Sequence, residues 1–153
     1  MKASSFFTKD QKAQILEAIR EAEKETSGEI RVHIETKLRG DVLDRASWIF
    51  GRIGMHKTEA RNGILFYLAV ESRKFAVIGD SGIHAKVEEN FWDNIRSAME
   101  ESFRENKFTE GLVKGILVAG DKLKEHFPHQ PDDVNELPDD ISFDNDGLKP
   151  GQK

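Results

Sequence analysis

The first part of the chain changes from a helical to an extended pattern of hydrophobic positions. Thr8-Lys9-Asp10-Gln11 has the form of a capping box, and apolar residues then recur at helical spacing, which predicts a helix over residues 9–25. Ser27-Gly28 ends that helix. From Ile30 to Ile34, apolar and polar residues alternate strictly, which predicts a β-strand with one face on the core and one face in water.

The following patterns predict the rest of a sheet and the helices that cover it. Residues 64–70 are apolar throughout, as in a central strand buried on both faces, so helices must pack on both sides. The short connection Glu71-Ser72-Arg73 predicts that residues 74–78 return antiparallel in a hairpin, which makes the sheet mixed. Helices are predicted near residues 42–53, over 83–103 with an interruption near Asn90, and over 108–127, where internal glycines allow close packing.

Composition and charge limit the class of protein. The 153 residues are 37% hydrophobic and 33% charged, as expected for one globular domain with a charged surface. Cysteine is absent, which excludes disulfides, thiolate zinc sites and a cysteine nucleophile. A net charge of -5 with scattered Lys and Arg disfavours nucleic acid, and no apolar run approaches the roughly 20 residues of a membrane span. These features predict a cytoplasmic protein that binds neither nucleic acid nor membranes.

The turn Gly79-Asp80-Ser81-Gly82 lies where a predicted strand ends and a predicted helix begins. Sites in α/β proteins are often built at such junctions. Asp80 is a candidate ligand for a cation, while the backbone amides of the turn are candidates for holding an anion. A purely structural function, in which Asp80 caps the helix, explains the same residues.

An acidic segment between Pro131 and Ile141 offers a second set of candidate ligands. Hard cations such as calcium bind several oxygen atoms on a loop held in one shape. Val134, Leu137 and Ile141 have a spacing that favours docking of the segment on the domain over a solvated connector. The segment lacks the ligand spacing and central glycine of an EF-hand loop. Its candidate metal ligands are Asp132, Asp133, Glu136, Asp139 and Asp140.

Other residue types give weaker indications of chemistry. Arg61 and Arg73 are candidate phosphate-binding residues, although arginines at loop edges are often simply solvated. The five histidines lack metal-ligand spacing, and no serine lies in a nucleophile elbow. No catalytic residue is identified by these patterns.

Several short motifs occur in a fixed order and spacing along the chain. They are Ser27-Gly28-Glu29-Ile30, Asn62-Gly63-Ile64-Leu65, Arg73-Lys74, Gly79-Asp80-Ser81-Gly82-Ile83 and Phe108-Thr109-Glu110-Gly111-Leu112. Together they resemble the TPM domain family, which is named for a thylakoid-lumen phosphatase, a photosystem II repair protein and an acetylcholine-receptor modulator. The resemblance covers about residues 7–143, and the chain looks most similar to the stand-alone bacterial members. Many relatives have Asp-Asn-Gly or Asp-Arg-Gly where this chain has Arg61-Asn62-Gly63.

The resemblance implies a three-layer, Rossmann-like α/β/α sandwich with a small mixed sheet of about four strands. It also implies a divalent-metal site, often calcium, at two crossing loops. We expect one domain over residues 1–143, a flexible tail over 144–153, and calcium or magnesium held by Asp80 and the acidic segment in a regulatory role. Some relatives hydrolyse phosphate esters, so a metal-assisted phosphatase acting on a phosphorylated small molecule is one alternative. An adaptor that binds a protein partner is another.

Overall fold

The computed structural model describes residues 3–129 and 141–143 of the chain. The five predicted ligands of the acidic segment and the predicted tail lie outside the described residues. The helices and strands of the described residues are, in chain order, α1 (Ala3–Phe6), α2 (Lys9–Glu23), β1 (Glu29–Glu35), α3 (Val42–Arg52), β2 (Gly63–Ala69), β3 (Lys74–Gly79), α4 (Ser81–His84), α5 (Asn90–Arg104), α6 (Phe108–His126) and β4 (Ile141–Phe143).

The four strands form one mixed sheet in the order β3-β2-β1-β4. β1 is parallel to β2 and to β4, whereas β2 and β3 form an antiparallel hairpin. The predicted hairpin and mixed sheet are therefore confirmed. Glu29 lies opposite Gly63, and Gly79 lies opposite Ile64, so β1 and β2 begin at the end of the sheet where β3 finishes. We call this the crossing end, and we call the opposite end, where residues 70–73 join β2 to β3, the hairpin end.

Helices cover both faces of the sheet. On one face, α2, α5 and α6 pack around a large apolar core that includes Ile34 of β1 and Phe66 of β2. On the other face, α3 packs against a smaller core that includes Leu65 and Tyr67 of β2. Every residue of β2 is buried, as predicted for a central strand. The predicted three-layer α/β/α sandwich is confirmed.

Two glycines allow α6 to pack tightly against its neighbouring helices. A Cβ at Gly120 would lie 2.5 Å from the Cβ of Ala22 in α2. A Cβ at Gly115 would lie 2.6 Å from Sδ of Met99 in α5. Since non-bonded heavy atoms do not approach so closely, glycine permits this helix spacing, and the predicted close packing is confirmed.

The predicted ends of the helices agree with the structure in part. The capping box is present, with Gln11 N donating to Thr8 Oγ1 at 3.1 Å and Thr8 N donating to Gln11 Oε1 at 2.9 Å. α2 ends at Glu23 rather than at the predicted Glu25. The predicted interruption near Asn90 is confirmed, because α4 and α5 are separate helices.

The prediction that one face of β1 lies in water is wrong. All seven residues of the strand are buried, including the four polar residues of the alternating pattern, Glu29, Arg31, His33 and Glu35. Arg45 of α3 and Ser142 of β4 bind polar side chains on this face. The alternation therefore distinguishes an apolar core from a buried polar layer, and not protein from solvent.

Candidate functional site

Two loops cross in direct backbone contact at the crossing end of the sheet. Gly82 N donates to Arg61 O at 2.9 Å, and Asp80 N donates to Gly63 O at 3.0 Å. A Cβ at Gly82 would lie 2.1 Å from the carbonyl oxygen of Ala60. Glycine is therefore required at position 82 for the loops to meet as they do.

Asp80 is held at this crossing by three hydrogen bonds to its carboxylate. Arg61 donates from Nε to Oδ2 at 2.7 Å and from Nη2 to Oδ1 at 2.8 Å. The backbone N–H of Ser81 donates to Oδ1 at 2.7 Å, so Asp80 also caps α4. The Asp80 side chain is 6% exposed, whereas that of Arg61 is 49% exposed. The structural function considered for Asp80 is thus present together with an ion pair.

The charge of Asp80 is favoured by these partners. Burial by itself would raise the pKa of the carboxyl group, because it penalises the charged form. The hydrogen bonds from Arg61 and from the Ser81 amide outweigh burial and lower the pKa of Asp80 below its usual value. Asp80 is therefore ionised at neutral pH, and a cation that binds it competes with Arg61 rather than with a proton.

Neutral oxygen-bearing side chains lie in the loops beside the ion pair. Asn62, which is buried, donates from Nδ2 to Ser27 Oγ at 3.3 Å, and its backbone N–H donates to Thr58 Oγ1 at 3.3 Å. Glu29 N donates to the carbonyl oxygen of Asn62 at 3.3 Å, which joins this loop to β1. Carboxylate, amide and hydroxyl oxygens are the donor types that calcium and magnesium prefer.

The residues that the structure describes supply part of a cation site. Across residues 3–129 and 141–143, no group of three or more acidic or histidine side chains could hold a metal ion. Asp80 contributes one carboxylate, and calcium takes about six to eight oxygen ligands. The chemistry of the donors fits a hard cation, while further carboxylates would have to come from elsewhere in the chain.

The two candidate phosphate-binding arginines lie far apart. Arg61 precedes β2 at the crossing end and pairs with Asp80, whereas Arg73 follows β2 at the hairpin end. At about 3.3 Å per residue, the seven residues of β2 separate them by roughly 20 Å. A single phosphate therefore cannot contact both arginines.

Sequence reasoning missed a buried polar network on the α3 side of the sheet. Glu35 is at its centre and accepts hydrogen bonds from Arg45 Nη2 at 2.6 Å and from Tyr67 OH at 2.6 Å. His33 Nε2 lies 3.3 Å from Glu35 Oε2, and His33 Nδ1 lies 2.7 Å from Ser142 Oγ. Through Ser142, the network joins β4 to β1.

The network determines the ionisation of Glu35 and Tyr67. Burial would raise the pKa of Glu35, but hydrogen bonds from His33, Arg45 and Tyr67 outweigh it and lower that pKa to about 2. Burial and the hydrogen bond to Glu35 raise the pKa of Tyr67 above its usual value. Glu35 is therefore a carboxylate, and Tyr67 a neutral donor, across the physiological pH range.

The sequence contained one indication of this network. Tyr67 carries a hydroxyl group within an otherwise apolar strand, and it pairs with His33 across the parallel strands. Buried tyrosine hydroxyls usually find a hydrogen-bond partner. The position of Arg45 in α3, ten residues after Glu35, carried no comparable indication.

No helix in the described part of the chain is both long enough and apolar enough to cross a membrane. This agrees with the sequence, in which no apolar run reaches that length. The cytoplasmic location stays a prediction.

Comparisons with known proteins were made for both sequence and fold. The family model of the TPM domain matches residues 1–122. Among solved structures, the NMR structure of BA42 from the psychrophilic bacterium Bizionia argentinensis is similar at 45% identity and a TM-score of 0.87, covering 92% of this chain and 97% of that one. No curated protein matches the chain.

More distant structures share the fold. The amino-terminal domain of cg2496 from Corynebacterium glutamicum has 14% identity and a TM-score of 0.64, over 78% of this chain and 76% of that one. The amino-terminal domain of a P. gingivalis protein has 19% identity and a TM-score of 0.65, over 83% of each chain. The family match over residues 1–122 and the similarity to BA42 show that the chain belongs to the TPM domain family.

Proposed function

We propose that this protein is a divalent-cation-binding domain in which calcium, or in its place magnesium, displaces Arg61 from Asp80. Binding would fix the acidic segment against the crossing loops and so give the domain a metal-responsive regulatory role. The observation that carries this proposal is a nearly buried carboxylate whose charge is balanced by a half-exposed guanidinium.

Arg61 is suited to such an exchange because its side chain and its backbone are held differently. Its carbonyl oxygen accepts from Gly82 N, which keeps the loop crossing in place when the side chain moves. Its side chain is 49% exposed, so the guanidinium can turn into water without opening the core. Losing the guanidinium should cost about 1–2 kcal/mol, because Arg61 is half-exposed although Asp80 is nearly buried, and the charge of a divalent ion can offset this cost.

The acidic segment is flanked by two anchors that favour its participation. Before the segment, His129 N donates to Glu25 O at 3.1 Å, and Pro128 forms an antiparallel β-bridge with Thr26. Both contacts lie close to the start of β1. On the other side, Ile141 pairs with Val32, and β4 runs parallel to β1, so the chain enters β4 from the crossing end.

The length of the segment is sufficient for its carboxylates to reach Asp80. Residues 130–140 can span up to about 35 Å when extended. β3 and β4 are three strand spacings apart in the sheet, or roughly 15 Å. We therefore propose that Asp132, Asp133, Glu136, Asp139 and Asp140 supply the remaining ligands.

Calcium titration of metal-free protein tests the proposal. Trp92 is a suitable reporter, because its ring packs against Gly79, the residue before Asp80. A Cβ added at Gly79 would lie only 2.4 Å from the Trp92 ring. We expect saturable changes in tryptophan fluorescence and a rise in melting temperature with calcium, and smaller changes with magnesium. Asp80→Asn should abolish the response.

Asp41→Asn is the matched control for that variant. Asp41 caps α3 through a side-chain hydrogen bond, as Asp80 caps α4, and asparagine is an equally good cap. Asp41→Asn should bind calcium as the unchanged protein does. The same calcium affinity in Asp80→Asn, or no response of the unchanged protein at millimolar calcium, would contradict the proposal.

The alternatives of a phosphatase and of a protein adaptor stay predictions. Turnover of p-nitrophenyl phosphate that depends on added metal and is lost in Asp80→Asn would support the first. Metal-dependent recovery of one defined protein partner would support the second. Neither result would by itself conflict with calcium binding at Asp80.

A further inference from the structure

A separate cavity lies at the hairpin end of the sheet, away from Asp80. Its volume is about 340 Å³, and its apolar surface is formed by Leu68, Phe75, Phe103 and Phe108. Pockets that hold small molecules have volumes of about 300–1,000 Å³. The cavity opens to solvent and lies near the lower end of this range, so it has room for a small ligand.

The aromatic rings form a continuous apolar wall. Phe75 and Phe103 pack edge to face with ring centroids 4.9 Å apart, and Phe103 and Phe108 follow at 5.5 Å. Phe103 belongs to the main apolar core, which fixes the middle ring of the three. A flat aromatic or aliphatic body can pack on such a wall with little rearrangement.

Two arginines give the rim of this cavity a positive charge. Arg73 bonds the side-chain oxygen of Asn106 and lies 6.0 Å from the centre of the Phe108 ring, and both of these partners are neutral. Within residues 3–129 and 141–143, no carboxylate lies within salt-bridge distance of Arg73. Glu100 also lines the cavity and pairs with Arg104 at 3.8 Å, but their side chains are 48% and 76% exposed, so that pair is weak and the two arginines leave the rim with a net positive charge.

The position of Arg73 is fixed by unusual backbone geometry. Arg73 has a φ of 55° and Asn106 has a φ of 63°, which are uncommon values for residues other than glycine. The hydrogen bond between their side chains joins the β2–β3 hairpin to the α5–α6 connection. The guanidinium is therefore held at the cavity in advance of any ligand.

We propose that this cavity binds a small molecule with a flat apolar body and one anionic group. The body packs on the phenylalanine wall, and the anionic group binds Arg73 and Arg104. Arginine pairs equally well with carboxylate and phosphate through two parallel hydrogen bonds, so the shared requirement is an oxyanion. The site is roughly 20 Å from Asp80 along β2 and does not depend on the proposed cation site.

NMR titration with small aromatic probes tests this proposal on the full chain. 1-Naphthoate and 1-naphthyl phosphate each combine a flat apolar body with one anionic group. The probe that binds with the higher affinity identifies the preferred anionic group. Backbone amide shifts should concentrate at residues 68–75 and 100–108. 1-Naphthol, which lacks the charge, and inorganic phosphate, which lacks the body, should each bind at least about tenfold more weakly.

Variants of surface arginines separate binding from folding. Arg73→Gln and Arg104→Gln should each weaken the better probe about tenfold, since each removes a charge-assisted contact. Arg52→Gln, which changes an exposed arginine of α3, should leave the affinity unchanged. Scattered shifts, equal affinity for 1-naphthol, or unchanged affinity in both cavity variants would overturn the proposal.

Discussion

Two arginine–carboxylate pairs in this domain have the same contacts but different surroundings. Arg45 binds Glu35, and Arg61 binds Asp80, each through Nε and Nη2. The Arg45 side chain is 4% exposed, while that of Arg61 is 49% exposed. Breaking the first pair leaves both charges in the core, whereas breaking the second leaves only the Asp80 carboxylate nearly buried and returns the Arg61 guanidinium to water. This difference in burial is the basis of the proposed exchange at Asp80.

The surroundings of the two carboxylates reinforce this difference. Glu35 is also bound by His33 and Tyr67, which lie on neighbouring strands of the sheet. Asp80 receives its other hydrogen bond from the Ser81 backbone amide, which remains when Arg61 leaves. Exchange at Asp80 therefore costs one ion pair, but exchange at Glu35 would disrupt a network across three elements.

The largest expected effect is the loss of the buried pair. Arg45→Ala should lower the free energy of unfolding by about 3–5 kcal/mol, because the buried Glu35 carboxylate loses the guanidinium that pairs with its charge. Arg61→Ala should lower it by less, about 1–2 kcal/mol, because the Arg61 side chain is half-exposed and Asp80 keeps its hydrogen bond from the Ser81 amide. Urea denaturation of both variants measures the difference, and equal losses would remove the distinction between the pairs.

The second-largest expected effect is the destabilisation of the buried network by acid. The pKa of Glu35 is about 2 in the folded protein and about 4.5 when unfolded, so its contribution is present above pH 4.5 and is lost as pH falls towards 2. This contribution is about 3 kcal/mol. Urea denaturation from pH 6 to pH 2 should give free energies for Glu35→Gln and the unchanged protein that converge at low pH. Parallel curves would show that Glu35 titrates normally.

Separating the crossing loops should have an intermediate effect. Gly82→Ala places a Cβ 2.1 Å from Ala60 O and should lower the free energy of unfolding by about 1–3 kcal/mol, while also weakening calcium binding. Gly51→Ala is the control, since nothing lies within 4 Å of its Cβ in α3, and it should stabilise by about 0.5–1 kcal/mol. Thermal denaturation and calcium titration report both effects. A calcium affinity that is unchanged in Gly82→Ala would separate the crossing from the cation site.

The smallest expected effect concerns the bond between β4 and the buried network. Ser142→Ala removes the hydroxyl 2.7 Å from His33 Nδ1 and should cost about 1 kcal/mol. Ser97→Ala, at an exposed position of α5, should change stability by less than about 0.5 kcal/mol. Equal effects in urea denaturation would mean that Ser142 does not help to hold β4.

Local patterns in the sequence were sufficient for much of the fold. The capping box at Thr8, the hairpin at residues 71–73 and the interruption before Asn90 each depend on neighbouring residues, and all three are present. The polar face of β1 failed as a prediction because its partners are distant along the chain. Ser142 lies 109 residues after His33, and a strand pattern cannot indicate what will cover it.

The candidate site was predictable to a smaller extent. Asp80 stands out because it ends a strand beside a glycine and begins a helix, which is a local feature. Its pairing with Arg61, 19 residues earlier, depends on the crossing of two loops. Arg61 as a candidate phosphate-binding residue stays a prediction, and in the structure its guanidinium binds the Asp80 carboxylate.

Isothermal titration calorimetry with calcium, which compares the affinity of Arg61→Gln with that of the unchanged protein, tests the exchange at Asp80 most directly. Removing the guanidinium frees the carboxylate and takes one positive charge from the site, so calcium should bind about fivefold more tightly, equivalent to about 1 kcal/mol. Affinity that is unchanged or weaker in Arg61→Gln would contradict the exchange of Arg61 for calcium at Asp80.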